Sequence, residues 1–96
     1  MNFIYIISEH TCTGKEDIAY TTSHQKAFEY LDCLYSANDC LFRGYLPGKY
    51  ESDKKWFYMK GFEWGTFPKE FFRDNMLKMT FIIKSTSYSV RKEALL

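Results

Sequence analysis

His10 and Cys12 stand two apart in a polar stretch, with Asp17 and His24 not far along the chain. These are the side chains from which a metal site or an activated thiol would be built. Zinc takes four convergent ligands, usually as two close pairs, and this stretch offers one loose pair. A nucleophilic cysteine needs a neighbour that lowers its pKa; Cys12 with His10 or His24 is the pairing on offer, and an ordinary reduced thiol is the simpler reading. Carboxylates adjoin at Glu16-Asp17 and recur at Glu51 and Asp53, in polar stretches of the kind that make solvated turns. Acid-base work needs a pocket that shifts their pKa. The glycines, Gly61 and Gly65 among them, form neither a phosphate loop nor a dinucleotide fingerprint. The expectation is therefore no catalytic residue, no cofactor and no metal, with a small Cys/His enzyme third among the functions considered.

Lys54 to Trp64 is denser in signal: Lys-Lys-Trp-Phe-Tyr-Met-Lys-Gly-Phe-Glu-Trp. In a strand, Trp56, Tyr58, Lys60 and Phe62 share one face. A sheet face bearing rings and lysines is how single-stranded nucleic acid is stacked and neutralised. Glu51, Asp53 and Glu63 dilute that charge, and the βαββαβ order of RNA-recognition modules differs from the order read below. The same rings also suit a protein-binding surface, with Tyr45, Tyr50, Trp56, Tyr58 and Trp64 as anchors and Lys49, Lys54 and Lys55 as rim. The plain alternative is that one face of the strand is core.

Aromatic residues make up 20% of the 96, as nine Phe, eight Tyr and two Trp. Each ring carries on the order of 150 to 250 Å², so a core of this size holds about half of them and several must lie at the surface. The net charge of +1 supplies no global field toward nucleic acid or an anionic membrane. Cys12, Cys33 and Cys40, odd in number and irregular in spacing, do not form a disulfide framework. The opening MNFIYIISEH lacks a basic region and a cleavage site and reads as a first strand rather than a signal peptide. No stretch approaches the roughly 18 apolar residues of a membrane span, so the expected compartment is the cytoplasm.

These side chains must be held by short elements. Asn2 to Ser8 is apolar on both faces, with Phe3, Tyr5 and Ile7 against Ile4 and Ile6, which predicts a central strand. It pairs as a hairpin with Asp17 to Thr21. Thr22-Ser23-His24-Gln25 fits a capping box with Thr22 as the cap. The helix after it, ending near Asn38, buries Ala27, Phe28, Leu31, Leu34 and Tyr35 and exposes Lys26, Glu29, Asp32 and Cys33. Cys40 to Leu46 and Lys55 to Phe62 read as strands joined through Pro47-Gly48 and the charged Lys49 to Lys54. That connection is longer than a tight hairpin needs. Thr66 and Pro68 open a second helix with Phe71, Phe72, Met76 and Met79 inward. From Thr80 one more strand sets Phe81 and Ile83 against Ile82, Tyr88 and Val90, its serine-rich middle suggesting an exposed edge. The reading is a single α+β domain over residues 1–90, a mainly antiparallel sheet with two helices packed on it in the order ββαββαβ, and a loose tail at 91–96.

The strand-turn-strand opening followed by Tyr20-Thr21-Thr22-Ser23-His24-Gln25-Lys26-Ala27-Phe28-Glu29-Tyr30-Leu31 resembles a pattern of small uncharacterised proteins of tailed bacteriophages, in which a hairpin leads through a Ser or Thr cap into a helix. The resemblance covers the first third of the chain and carries over no functional residue. It implies a setting, in which a small protein binds a larger host enzyme or anti-phage defence protein and blocks it. The expected function is thus a non-enzymatic protein-binding inhibitor, ahead of a single-stranded nucleic-acid binder. From the cysteine spacing, replacing Cys12, Cys33 and Cys40 together by Ser or Ala should leave a folded protein, as circular dichroism would record. A stoichiometric metal in the purified wild type would contradict that reading.

Overall fold

The computed structural model describes residues 2–59 and 67–95. The two-faced apolar run at the start becomes β1 (Phe3–Thr11), and β2 (Gly14–Thr21) returns along it. After α1 (His24–Ala37) come β3 (Arg43–Leu46) and β4 (Lys55–Tyr58), then α2 (Lys69–Asp74) with a 3-10 turn at Met76–Lys78, and finally β5 (Thr80–Ile83) and β6 (Thr86–Ala94). The strands form one antiparallel sheet in the order β2-β1-β6-β5-β3-β4. The fold is α+β, and the element order is ββαββαββ.

Side-chain alternation along the strands sends two different populations to the two faces. Tyr5 and Ile7, Val90 and Tyr88, Phe81 and Ile83, and Phe57 all point to the side where α1 contributes Ala27, Phe28, Leu31 and Tyr35 and α2 contributes Phe72. Both helices therefore lie on one face, and Lys69 ties α2 to α1 through Asp32 at 3.1 Å. The other face carries no helix among the described residues. Gly44 belongs to the covered side, where β3 runs so close to β5 that a Cβ would lie 2.7 Å from the Thr80 carbonyl oxygen.

An extra residue in β2 keeps this sorting in phase. Ile7 pairs with Ala19 but Ser8 pairs with Asp17, so Ile18 is bulged out of the ladder. Ile18 and Ala19 both pack against the core cluster, while Asp17 and Tyr20 stay opposite Ser8 and Ile6 on the uncovered face. Without the bulge, one end of β2 would turn its side chains the wrong way.

Several sequence expectations need correction. The cap of α1 is Ser23, whose Oγ accepts from the Lys26 amide at 3.2 Å, and not Thr22; the Thr21 hydroxyl accepts from the Ser23 amide. Leu34 and Phe71 are half-buried at the margin of the core rather than inside it. The final strand is a hairpin, β5 and β6, folded at Lys84-Ser85. Its serine-rich part is interior, flanked by β1 and β5, and the edges of the sheet are β2 and β4. Arg91–Ala94 are not a loose tail, because they continue β6 along β1 as far as the pair Phe3 with Ala94. Cys40–Phe42 precede β3, and Lys60, Phe62 and Thr66 lie outside the described residues.

Leu31 is fully buried in the centre of the helix-facing core. Leu31→Ala should cost about 2 to 5 kcal/mol of unfolding free energy through lost burial and the cavity left behind. Urea titration checks this, and a loss below about 0.5 kcal/mol, typical of surface changes, would contradict the packing.

Candidate functional site

Cross-strand register draws a row across the uncovered face: Asp17, Ser8, Ser89, Thr80, Tyr45, Trp56, one residue from each strand in spatial order. One end of the row is ionic and hydroxylic, and the other end is aromatic.

At the ionic end, Ser8 is 1% exposed although no helix of the described residues covers it. Its hydroxyl donates to Asp17 Oδ1 at 2.6 Å and accepts from Arg91 Nη1 at 2.9 Å. Arg91 forks onto both carboxylate oxygens of Asp17 at 3.0 and 2.8 Å and also reaches Glu93 at 3.0 Å. The Arg91 guanidinium, with the Ser8 hydroxyl second, holds the Asp17 carboxyl well below the usual carboxylate range. Every polar group in this cluster has a partner, so it closes this part of the face. On the covered side, burial and the neighbouring Glu9 carboxylate push the Tyr88 hydroxyl up to about 12; it donates to Glu9 at 3.0 Å.

The aromatic end is built by β3 and β4. Met59 donates its amide to the Phe42 carbonyl at 2.9 Å, which makes Tyr45 with Trp56 and Arg43 with Tyr58 the non-hydrogen-bonded pairs, where opposing side chains come closest. Tyr45 and Trp56 ring centres are 5.0 Å apart, and Trp56 stacks near-parallel on Tyr58 at 6.2 Å. Phe57 points the other way, into the core against Phe67 and Phe71. Half of the strand is thus core and half is surface: Trp56 is 42% exposed, while Tyr45 and Tyr58 are half-buried beside it.

The long connection between β3 and β4 has its own order. Glu51–Asp53 form a 3-10 turn, the Tyr50 amide donates to Asp53 at 3.1 Å, and Gly48 packs against Asp53 so closely that any Cβ would clash. Lys54, expected on the rim, is half-buried: it donates to Glu51 at 2.6 Å and lies 4.3 Å over the Tyr45 ring. That hydrogen bond raises its pKa. Lys49 sits over the Tyr50 ring at 5.5 Å, and Tyr50, 64% exposed, stands out from the loop. Lys55 is exposed; Trp64 lies outside the described residues.

The residues considered for chemistry are not brought together. His10 is on the uncovered face, 3.3 Å from Ser89 Oγ, while His24 packs edge-on against Tyr5 on the other side of the sheet. Cys12 is exposed in the β1–β2 turn, and Asp17 is engaged by Arg91. Among the described residues no three His, Cys, Asp or Glu side chains converge, and no helix is long and apolar enough to cross a membrane.

The sequence reading missed a groove of about 410 Å³ beside the rings, to which Arg43, Tyr58, Ile82 and Lys84 contribute from three strands and a turn. No local pattern announces it, because its walls meet only through sheet pairing. Compared with known protein families, characterised proteins and solved structures, the chain matches none.

The Asp17 carboxyl ionises more readily folded than unfolded, so its contribution to stability is complete above the unfolded value of about 4 and is lost as pH falls from there toward the depressed folded value. Asp17→Asn should lower the urea midpoint at pH 7 and flatten its decline on acidification. Equal decline in wild type and variant between pH 4 and pH 2 would contradict the coupling.

Proposed function

We propose that this chain is a non-enzymatic protein-binding module that docks through the Tyr45, Trp56 and Tyr58 face of its sheet. The observation that carries the reading is Trp56, 42% exposed between two other rings on a face that carries no helix among the described residues. Clustered exposed rings favour a covering partner, and Trp and Tyr dominate interface hot spots. The adjoining charge is mixed, since Lys54 is taken by Glu51 and Asp53 holds the Tyr50 amide. Tyr50 is the outlying anchor, and Lys49 and Lys55 form the rim. The resemblance of the first third of the chain to small phage proteins suggests the setting, a larger host or defence protein that is blocked in the host cytoplasm.

A second reading has one observation in its favour. The near-parallel Trp56 and Tyr58 rings make a platform on which bases could stack, as in single-stranded nucleic-acid binders. It would need several cations to converge beside the stacked rings, and of those nearby Lys54 is already taken by Glu51.

Alanine substitution of Tyr45, Tyr50, Trp56, Tyr58, Lys49, Lys54 and Lys55, each checked for folding, separates the two readings. With a partner recovered from bacterial lysate, Trp56→Ala should weaken binding by about 2 kcal/mol or more, whereas Lys49→Ala and Lys55→Ala should mainly slow association. Dominant lysine effects on binding an oligothymidylate, with steep loss in salt, would favour nucleic acid. Normal binding by all seven folded variants would place the surface elsewhere.

A further inference from the structure

We infer that the occupant of the groove beside Tyr58 is an acidic peptide segment of the partner protein, seated by one apolar side chain; this rests on the protein-binding reading above. The groove exists because β3 and β5 part company. They pair at Tyr45 with Thr80 and at Gly44 with Phe81, and the next potential pair, Arg43 with Ile82, is not made. The buried Tyr35 hydroxyl comes through from the helix side and donates into the gap between the Arg43 carbonyl at 2.7 Å and the Ile82 carbonyl at 3.0 Å. The single hydroxyl proton is shared between the two carbonyls, and the Arg43 amide donates back to the Tyr35 oxygen at 3.4 Å, so a core side chain stands where the sheet pair would be.

The floor and sides are apolar, from Leu41, Phe42, Ile82 and the Tyr58 ring, and about 410 Å³ is within the range of ligand clefts. Leu41 is largely exposed there, which leaves an apolar surface for an incoming side chain to cover. Arg43 and Lys84 line the same groove, and among the described residues neither has a carboxylate within ion-pair distance; one carboxylate, Asp39, faces these two cations. The excess positive charge around an apolar floor selects an acidic occupant. Lys84 is held there at φ 56°, a left-handed conformation that glycine adopts without cost and lysine rarely does. That conformation belongs to the two-residue turn between Ile83 and Thr86, which sets Lys84 among the residues lining the groove.

The test is selection of short random peptides, displayed as a library, on the immobilised protein, followed by affinity measurement on Arg43→Gln, Lys84→Gln, Trp56→Ala and, as a control on the distant end of the sheet, Lys15→Gln. Circular dichroism confirms the fold of each variant. Enrichment of peptides rich in Asp or Glu with one Leu, Met or aromatic residue is expected. Their affinity should fall about tenfold or more in Arg43→Gln or Lys84→Gln and stay unchanged in Lys15→Gln. Neutral or basic peptides, or acidic ones indifferent to both groove substitutions, would overturn the inference; if those peptides lose affinity in Trp56→Ala, the protein-binding reading survives without it. Selection of no peptide would also overturn it. If an oligothymidylate then binds and releases in Arg43→Gln and in salt, the protein-binding reading falls as well.

Discussion

Phe42, just before β3, is enclosed by rings from three other elements: Phe28 and Tyr35 of α1 at 5.0 and 4.4 Å, Phe72 of α2 at 5.5 Å, and Phe81 of β5 at 6.1 Å. The first is stacked and the last edge-on, the offset arrangements that ring quadrupoles favour. Because Phe42 immediately precedes Arg43, fixing its ring fixes the entry of β3 into the sheet. The positions of Tyr45, of the strand that pairs with it and of the seam spanned by Tyr35 all follow. The surface rings are thus aligned by buried ones, and the aromatic richness of the chain serves core and face together.

The second face, which carries no helix among the described residues, is finished in two ways. Around β2, β1 and β6 the side chains shield one another: Arg91 lies across to Asp17, and Ser8 beneath them is as buried as any core residue. Around β3 and β4 the rings stack but do not seal the surface, and Trp56 remains substantially exposed. The two halves share one continuous sheet, so the unsealed half is presented beside a self-satisfied one.

Much of this arrangement was legible in the chain, and the rest was hidden for identifiable reasons. The face of α1 followed from the spacing of Ala27, Phe28, Leu31 and Tyr35, and the alternation at Lys55 to Tyr58 separated Phe57 from Trp56 and Tyr58 correctly. The β5–β6 hairpin was missed because Lys84-Ser85 carries none of the Asn-Gly or Gly signals that mark tight turns, the left-handed residue being lysine instead. Arg91–Ala94 looked like a tail because they are polar and mostly exposed; their strand conformation comes from β1 beside them, a tertiary effect that no local propensity reports. The serines of β6 suggested an edge, yet they are interior to the sheet and polar only because they face its helix-free side. The groove at Arg43 and Ile82 depends on a pairing that fails to form, and such a feature has no sequence pattern.

The strand order has a consequence for how the molecule forms. β1 and β6, the first and last strands, lie side by side along nearly their full lengths, from Phe3 with Ala94 to His10 with Ser87. Bringing such distant segments together costs loop-closure entropy before any ladder contact repays it, and topologies of this kind fold slowly. Until β6 arrives, the β1–β2 hairpin has one bare edge, and Asp17 lacks the arginine that neutralises it. The ionic cluster therefore requires β6 to be paired with β1, and a chain in which that pairing is absent would present the β1 edge, with its Ile4 and Ile6, to any strand nearby.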